Sequence, residues 1–481
     1  MLAIRLLPAC VLLCAALAAA AQPFDLVIAN GRVMDPESGL DAVRHLGIRG
    51  GKVEAVSQSP LEAREVIDAR GLVVAPGFIN LHWHGTDPRS NYYEAMDGVT
   101  STFELEIGVA DVDKWYDERT GRMPINYGVA AGHAPVRMAV MGDPGAFLPA
   151  GDAARKAATD EQIEAIAKGV ERGLQRGAVG VGFGLAYTPA ASRWEVLQMF
   201  RLAARYGAAG YVHIRGASSA GSADREQGLL EVIALSAVSG APVHVAHINS
   251  SAQEAVARML GIIEEARARG VDVSTEAYPY TAGMTRIESF LFDAWADKAE
   301  QEYRKLQWVL TGERLTRETF LNYRKQGGYV LIHANTEERV RTAIAHPLTM
   351  IASDGFDVDP PSHPRSAATY SRVLGRYARE QGALTLMQAL RKMTLMPAQR
   401  LERRVPAMRD KGRVRPGADA DLAIFDPATI RDVATYEDPV QYSQGMRFVL
   451  VNGRFVVREG KVVQGATPGR PVRAPIGGGD S

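Results

Sequence analysis

Between residues 161 and 278 an amphipathic helical stretch, closed by glycine, leads into an apolar run, and the pattern occurs four times. Residues 161–176 place Ile163, Ile166, Val170 and Leu174 on one helical face, and Gly177 ends the stretch. The apolar run 178–185 follows. Stretches 194–206, 226–239 and 253–269 stop at Gly207, Gly240 and Gly270 and lead into 209–214, 242–248 and 271–278. Each unit takes roughly 30 residues, a helix plus one strand. Strands that are apolar on both faces need helices on both, which is the parallel α/β arrangement.

Further strands are expected at 76–84, 100–107, 125–132, 329–333 and 349–353, giving nine candidates for an eight-stranded barrel. The surplus one is 329–333, because 281–328 before it reads as an insertion rich in Phe, Trp and Tyr, suited to a lid. A doubly wound open sheet is the competing layout. Polar residues at the C-terminal ends of many separate strands favour a (β/α)8 TIM-like barrel, spanning 76–408. Residues 22–75 and 409–481 carry short strands and hairpin signals such as Asn30-Gly31 and Asn452-Gly453. The two chain ends are expected to build one small β-sandwich domain.

Residues 1–21 have a short basic start, an apolar run and small residues up to Ala21, the pattern of a secretory signal peptide. The run is shorter than the roughly 20 apolar residues of a membrane span, so no stable membrane anchor is expected after cleavage. Cys10 and Cys14 leave with this segment, and a mature chain without cysteine has neither disulfides nor thiolate ligands. The location implied is secreted, in the periplasm. The 55 basic and 55 acidic side chains cancel, so nothing draws the chain to nucleic acid.

The apolar run at 75–81 ends in His82-Trp83-His84. Residues two apart on a strand share a face, so the two imidazoles project together, and imidazole suits zinc, iron and nickel. His213, His247 and Asp354 stand at the ends of three other expected strands. The second strand carries Glu104 and Glu106 on one face, and buried carboxylates need a partner or a metal. Glu106, nearer the C-terminal end, is the expected bridging ligand, with Glu104 in reserve. His244 and His333 read as packing residues, His45 and His346 as structural, and His363 as a shaper of its loop. His133 reads as a loop residue available to a substrate.

Pro76-Gly77-Phe78-Ile79 with His82, His84, His213, His247 and Asp354 resembles the amidohydrolase superfamily. Asn126-Tyr127-Gly128, Tyr211-Val212-His213-Ile214-Arg215, Glu276-Ala277-Tyr278-Pro279-Tyr280 and Ser362-His363-Pro364-Arg365-Ser366 are similar to the N-acyl-D-amino-acid deacylase (D-aminoacylase) family. Glu104-Leu105-Glu106, 306–315 and Val405-Pro406-Ala407-Met408-Arg409 resemble its D-glutamate deacylase branch. Two positions depart from the family. Its metal-binding Cys falls at Ile107 here, beside Glu106, and its substrate-binding Lys falls at Asn249.

The resemblance implies one or two divalent ions, zinc foremost, held by His82, His84, Glu106, His213, His247 and Asp354. It implies Asp354 as the catalytic acid–base, and Arg365, Tyr280 and Asn249 as the residues meeting a small N-acyl amino acid. The activity implied is hydrolysis of N-acyl-D-amino acids, N-acyl-D-glutamate among them, to a carboxylate and a free D-amino acid. Two other readings stay open: a dipeptidase or cyclic-amide hydrolase on the same barrel, and a non-catalytic periplasmic ligand-binding protein.

Overall fold

The computed structural model describes residues 23–217 and 222–477, so the expected signal peptide lies outside the described residues. Its centre is an eight-stranded, all-parallel sheet in sequence order. The strands are Phe78–Asn80, Val99–Val109, Asn126–Gly132, Gly180–Gly184, Ala209–His213, Val243–Val245, Val273–Ala277 and Thr349–Ile351. The glycines that close the four repeats, Gly177, Gly207, Gly240 and Gly270, all have positive φ, which lets each helix stop and the chain turn into the next strand.

Alternate strand residues serve two cores. Phe78, Val129, Val181, Phe183 and Val212 pack outward against the helices. Ile79, Phe103, Leu105, Val179 and Tyr211 fill the barrel interior. Burial on both faces is why these strands read as continuous apolar runs. Ala398 and Leu401, from the helix Leu395–Glu402, join the interior cluster and close the barrel below.

The first and last strands meet through side chains rather than a regular ladder. Asn80 Oδ1 accepts from the backbone N–H groups of Ser353 at 3.0 Å and His82 at 3.1 Å. Its Nδ2 donates to Ser353 Oγ at 2.7 Å. Just above, His84 N donates to Gly355 O at 2.8 Å and Trp83 pairs with Gly355. These bonds close the barrel at the point where His82, His84 and Asp354 emerge.

Tyr329–Ile332 is not a barrel strand. It is the central strand of a three-stranded antiparallel sheet with Gly283–Arg286 and Leu306–Trp308. This insertion has its own core, including Phe292, Tyr303, Trp308 and Phe320. It sits over the barrel mouth, where Thr285 hydrogen-bonds the Tyr187 hydroxyl at 3.1 Å.

Both chain ends share one nine-stranded sheet, joined where Val73–Pro76 pairs antiparallel with Leu422–Phe425. The long strand Phe24–Asp35 pairs with three others, so the sheet forks there. The fork gives a single hydrogen-bonded sheet a core of its own, with Leu26, Ile48, Val74, Leu422 and Leu450 inside.

Asn80→Ala is expected to leave two buried backbone donors without partners and to lower stability by roughly 3 kcal/mol. Urea denaturation compared with the unaltered chain checks this; an unchanged midpoint would remove Asn80 from the closure.

Candidate metal centre

The second barrel strand bends to deliver its acids. Its pairing with the third strand runs from Ser101 to Glu104 and resumes only at Val109, so 105–108 bulge. Gly108 turns the bulge with φ +67°, and a Cβ there would stand 2.7 Å from Ala130 O. Glu104 Oε1 accepts from the N–H groups of Ile107 at 3.3 Å and Gly108 at 3.1 Å, which caps the bulge. Its Oε2 lies 2.6 Å from His84 Nδ1. Glu104 therefore orients a ligand, while the bulge carries Glu106 into the centre.

Glu106 stands between two pairs of imidazoles. Its Oε2 is 3.4 Å from Nε2 of both His82 and His84. Its Oε1 is 2.8 Å from His213 Nδ1 and 2.9 Å from His247 Nε2. Asp354 Oδ1 lies 3.4 Å from His82 Nε2 and 3.5 Å from His84 Nε2. Three overlapping donor groups result: His82, His84 and Glu106; His82, His247 and Asp354; Glu106, His213 and His247, each with its donor atoms within 4.8 Å of one another. All six side chains expected to bind metal are thus brought to one place. Ile107 packs on Leu148 and Tyr187.

The donor set fits a divalent cation. Burial disfavours a charged His82, yet Asp354, Glu106 and Glu276 facing it raise its pKa to about 10. This field of carboxylates demands positive charge at the Nε2 atoms. Those of His82 and His84 lie 3.0 Å apart. Their Nδ1 atoms are engaged by Glu276 at 2.5 Å and Glu104 at 2.6 Å, the arrangement that fixes tautomer and ring plane in metal-binding histidines. His247 Nδ1 is likewise held by Ser251 Oγ at 3.0 Å. His213 has its pKa lowered, first by burial, which keeps it a neutral donor.

Glu276 is the functional residue that strand-end reasoning passed over. Burial pushes it up, but His82 and His244 hold it down to about 2. His244 Nε2 is 3.1 Å from Glu276 Oε2, and its Nδ1 is 2.8 Å from Ser274 Oγ. His244 thus packs within its strand as the second support of this carboxylate. The available signal was the one that marked Glu104 and Glu106: an acid inside an apolar strand.

Asp354 and His247 share a backbone feature. Their φ values are +52° and +31°, left-handed and strained for residues with side chains, at roughly 1–3 kcal/mol each. The strain turns both side chains inward. Arg365 Nη1 lies 2.8 Å from Asp354 Oδ2, close enough for an ion pair but outside hydrogen-bonding geometry. Burial pushes Asp354 up, yet Arg365 and His82 hold it well below the carboxylate range. The guanidinium stacks 4.6 Å over Tyr278, and Nε and both Nη atoms are buried without a hydrogen-bond partner.

A cavity of about 600 Å³ opens above the cluster, reaching His84, Glu106, His213, His247 and Asp354. Ile107, Leu148, Tyr187, Met284 and Phe356 give it an apolar wall. Arg225, Arg286, Lys298 and Lys305 also line it.

Three residues expected at a substrate take other places. The Tyr280 hydroxyl donates to Ala368 O at 3.1 Å, with Arg372 stacked 4.6 Å over the ring. Asn249 Nδ2 donates to Tyr278 O at 3.1 Å, clasping the sixth and seventh strand ends. Neither reaches the cavity wall, because its polar atoms serve backbone partners; Arg365 also lies behind that wall, but its donors face Asp354, which does line it. His133 is buried against Glu195 at 2.8 Å. His363 shapes its loop, contacting Ala282 O through Nε2 at 3.0 Å and accepting from Arg365 N through Nδ1 at 3.0 Å.

Ligands gathered from several strand ends at the C-terminal mouth, with a cavity for a small molecule above them, define the class: a metal-dependent hydrolase barrel. The chain belongs to the amidohydrolase family, whose model matches residues 65–457. It is 30% identical to the N-acyl-D-glutamate deacylase of Alcaligenes xylosoxydans xylosoxydans, over 90% of this chain and 93% of that one. It is also 30% identical to the D-aminoacylase of the same organism, over 91% and 95%. N-acyl-D-glutamate deacylase from Bordetella bronchiseptica, solved with zinc and a phosphonate mimic of the tetrahedral intermediate, superposes with a TM-score of 0.81 at 27% identity, covering 94% of this chain and all (100%) of that one. A D-aminoacylase crystal structure gives 0.79 at 27%, with the same coverage of 94% and 100%.

Glu276→Gln is expected to loosen the His82 ring and weaken metal binding by about 10- to 100-fold. Metal retention against a graded chelator series measures it. Retention equal to the unaltered protein would show that Glu276 does not support the ligand.

Proposed function

We propose that this chain hydrolyses N-acyl-D-amino acids, releasing a carboxylate and the free D-amino acid. The observation that carries the reading is Asp354. It stands at the head of the cavity, ionised, beside two imidazole pairs grouped around one carboxylate. The relatives named as deacylases of this substrate class support it over the full barrel.

His82, His84, Glu106, His213, His247 and Asp354 would hold the metal, with Glu106 bridging if two ions bind. Zinc is the proposed ion, as in the Bordetella bronchiseptica relative. A divalent ion there supplies Lewis acidity, polarising an amide carbonyl and acidifying water.

The chain's own residues account for the rest. Arg365 presents buried donors beside Asp354, and its planar fork suits the free carboxylate of an N-acyl amino acid. A substrate carboxylate that draws the guanidinium away removes the contact that makes Asp354 a weak base. Asp354 then takes a proton from water and hands it to the leaving nitrogen. The apolar wall of Ile107, Leu148 and Tyr187 receives the acyl group and keeps water out. Lys298 on the cavity supports an acidic side chain such as D-glutamate, Arg286 and Lys305 there being ion-paired with Glu288 and Glu302. The basic, then apolar, start of residues 1–21 supports export to the periplasm.

Chelation is expected to abolish turnover and zinc to restore it. Asp354→Asn is expected to lower kcat by about 10³-fold with bound metal retained, within the usual range for losing an acid–base group. A chiral panel of N-acyl glutamates and leucines on metal-quantified protein tests the substrate. Turnover confined to L-dipeptides or cyclic amides would move the reading to a dipeptidase or cyclic-amide hydrolase. Ligand binding without turnover by either enantiomer would make it a binding protein.

A substrate carrying a methyl ester in place of the free carboxylate is expected to lose at least about 100-fold in kcat/KM if Arg365 receives that group, since the buried guanidinium is then left unpaired. Equal rates on acid and ester would remove Arg365 from substrate recognition.

A further inference from the structure

The barrel has a second cavity, of about 330 Å³, at the end opposite the metal centre. Val179, Pro242, Asp272 and Leu348 on its wall stand just before the starts of four barrel strands. The floor comes from the helix Leu395–Glu402 and the turn after it. Arg267, Arg391, Arg400, Arg403 and Arg404 line this space, and Asp272 is its one acid among the described residues.

Arg400 is the centre of the cluster. Its side chain is 6% exposed, and Nη1 lies 2.6 Å from Asp272 Oδ1. Asp272 is itself 51% exposed, so it answers the guanidinium from the solvent side only. Arg400 Nε and Nη2 and the hydroxyl of Tyr211 are buried and face one another without a well-formed hydrogen bond. Buried donors of a cation left unpaired are costly, and such groups call for an explanation. Neighbouring guanidiniums are held at the wall by backbone. Arg404 donates to the carbonyls of Leu174, Ala178 and Tyr206, and Arg267 to Val273 O. The wall therefore offers fixed positive charge, and Arg400, on that wall, has two donors without a well-formed partner and of the spacing that grips paired oxygens.

We propose that this cavity is a binding site for a small oxyanion, of the phosphate or carboxylate type, with Arg400 as its central contact and Tyr211 as a further donor. The site goes beyond the amide-hydrolysing reading and does not depend on it.

The test is calorimetric titration of inorganic phosphate into the zinc-loaded full chain and its Arg400→Gln variant, with folding of both checked by circular dichroism. Phosphate also has access to the metal centre, so its inhibition of turnover is measured alongside. The expected result is a saturable component that weakens at least tenfold in the variant, while inhibition of turnover is equal in both proteins. Acetate in a parallel titration separates the two anion types: the tighter of the two identifies the oxyanion class. If Arg400→Gln does not fold, Arg403→Gln and Arg391→Gln, on the exposed rim, are expected to weaken the same component about threefold each. Identical isotherms for unaltered and substituted proteins, or a single component that disappears when substrate occupies the metal centre, would overturn the proposal.

Discussion

Two carboxylates inside an apolar strand set the terms for this structure. Glu104 and Glu106 are both buried at the heart of the barrel, where an unanswered negative charge is unaffordable. Glu104 is answered by His84 and by two backbone N–H groups of the bulge it caps. Glu106 is answered by four imidazoles from three strand ends. Three of those histidines are held at the far ring nitrogen, His82 by Glu276, His84 by Glu104 and His247 by Ser251, and His244 supports Glu276 in turn. The polar interior is thus a connected set, and its net field favours a cation at the centre.

Around this set the barrel divides its labour by end. At the C-terminal mouth the chain accepts strain: left-handed backbone at His247 and Asp354, and a bulge turned by Gly108. The side-chain closure through Asn80 and Ser353 occurs at the same level, so fixing the first and last strands also fixes His82 and Asp354. At the other end, apolar residues of the helix Leu395–Glu402 seal the interior, and arginines surround the space beside it. Polar Ser274, at the base of the seventh strand, lines that lower cavity and also holds His244, two bonds below a metal-site histidine.

Much of the architecture was legible because its causes are local. Helix faces, closing glycines and apolar runs repeat along the chain, and the strand ends followed from them. The candidate ligands were legible for the same reason: His or acid at the end of an apolar run stands out. The reserve role of Glu104 and the position of Ile107 were not resolvable in that way, because a bulge changes which residue faces the axis and leaves no periodic mark. The surplus strand at 329–332 needed pairing partners to be placed, since a short apolar run reads alike in a barrel and in a lid. Tyr280 and Asn249 lie one layer behind the cavity for a related reason: proximity in the chain to site residues does not say where a side chain's polar atoms find partners.

By itself the sequence determined the parallel barrel, the pairing of the chain ends into one β region, and which residue types could hold a metal. These depend on periodicity and on the cost of burying charge, both properties of short stretches. Only the tertiary structure decided that Glu106 rather than Glu104 sits among the imidazoles, that Glu276 orients His82, and that Arg365 meets Asp354. Those outcomes depend on distances between residues as many as 194 positions apart, as for His82 and Glu276. Such distances exist only once the barrel has closed and each buried charge has found its partner.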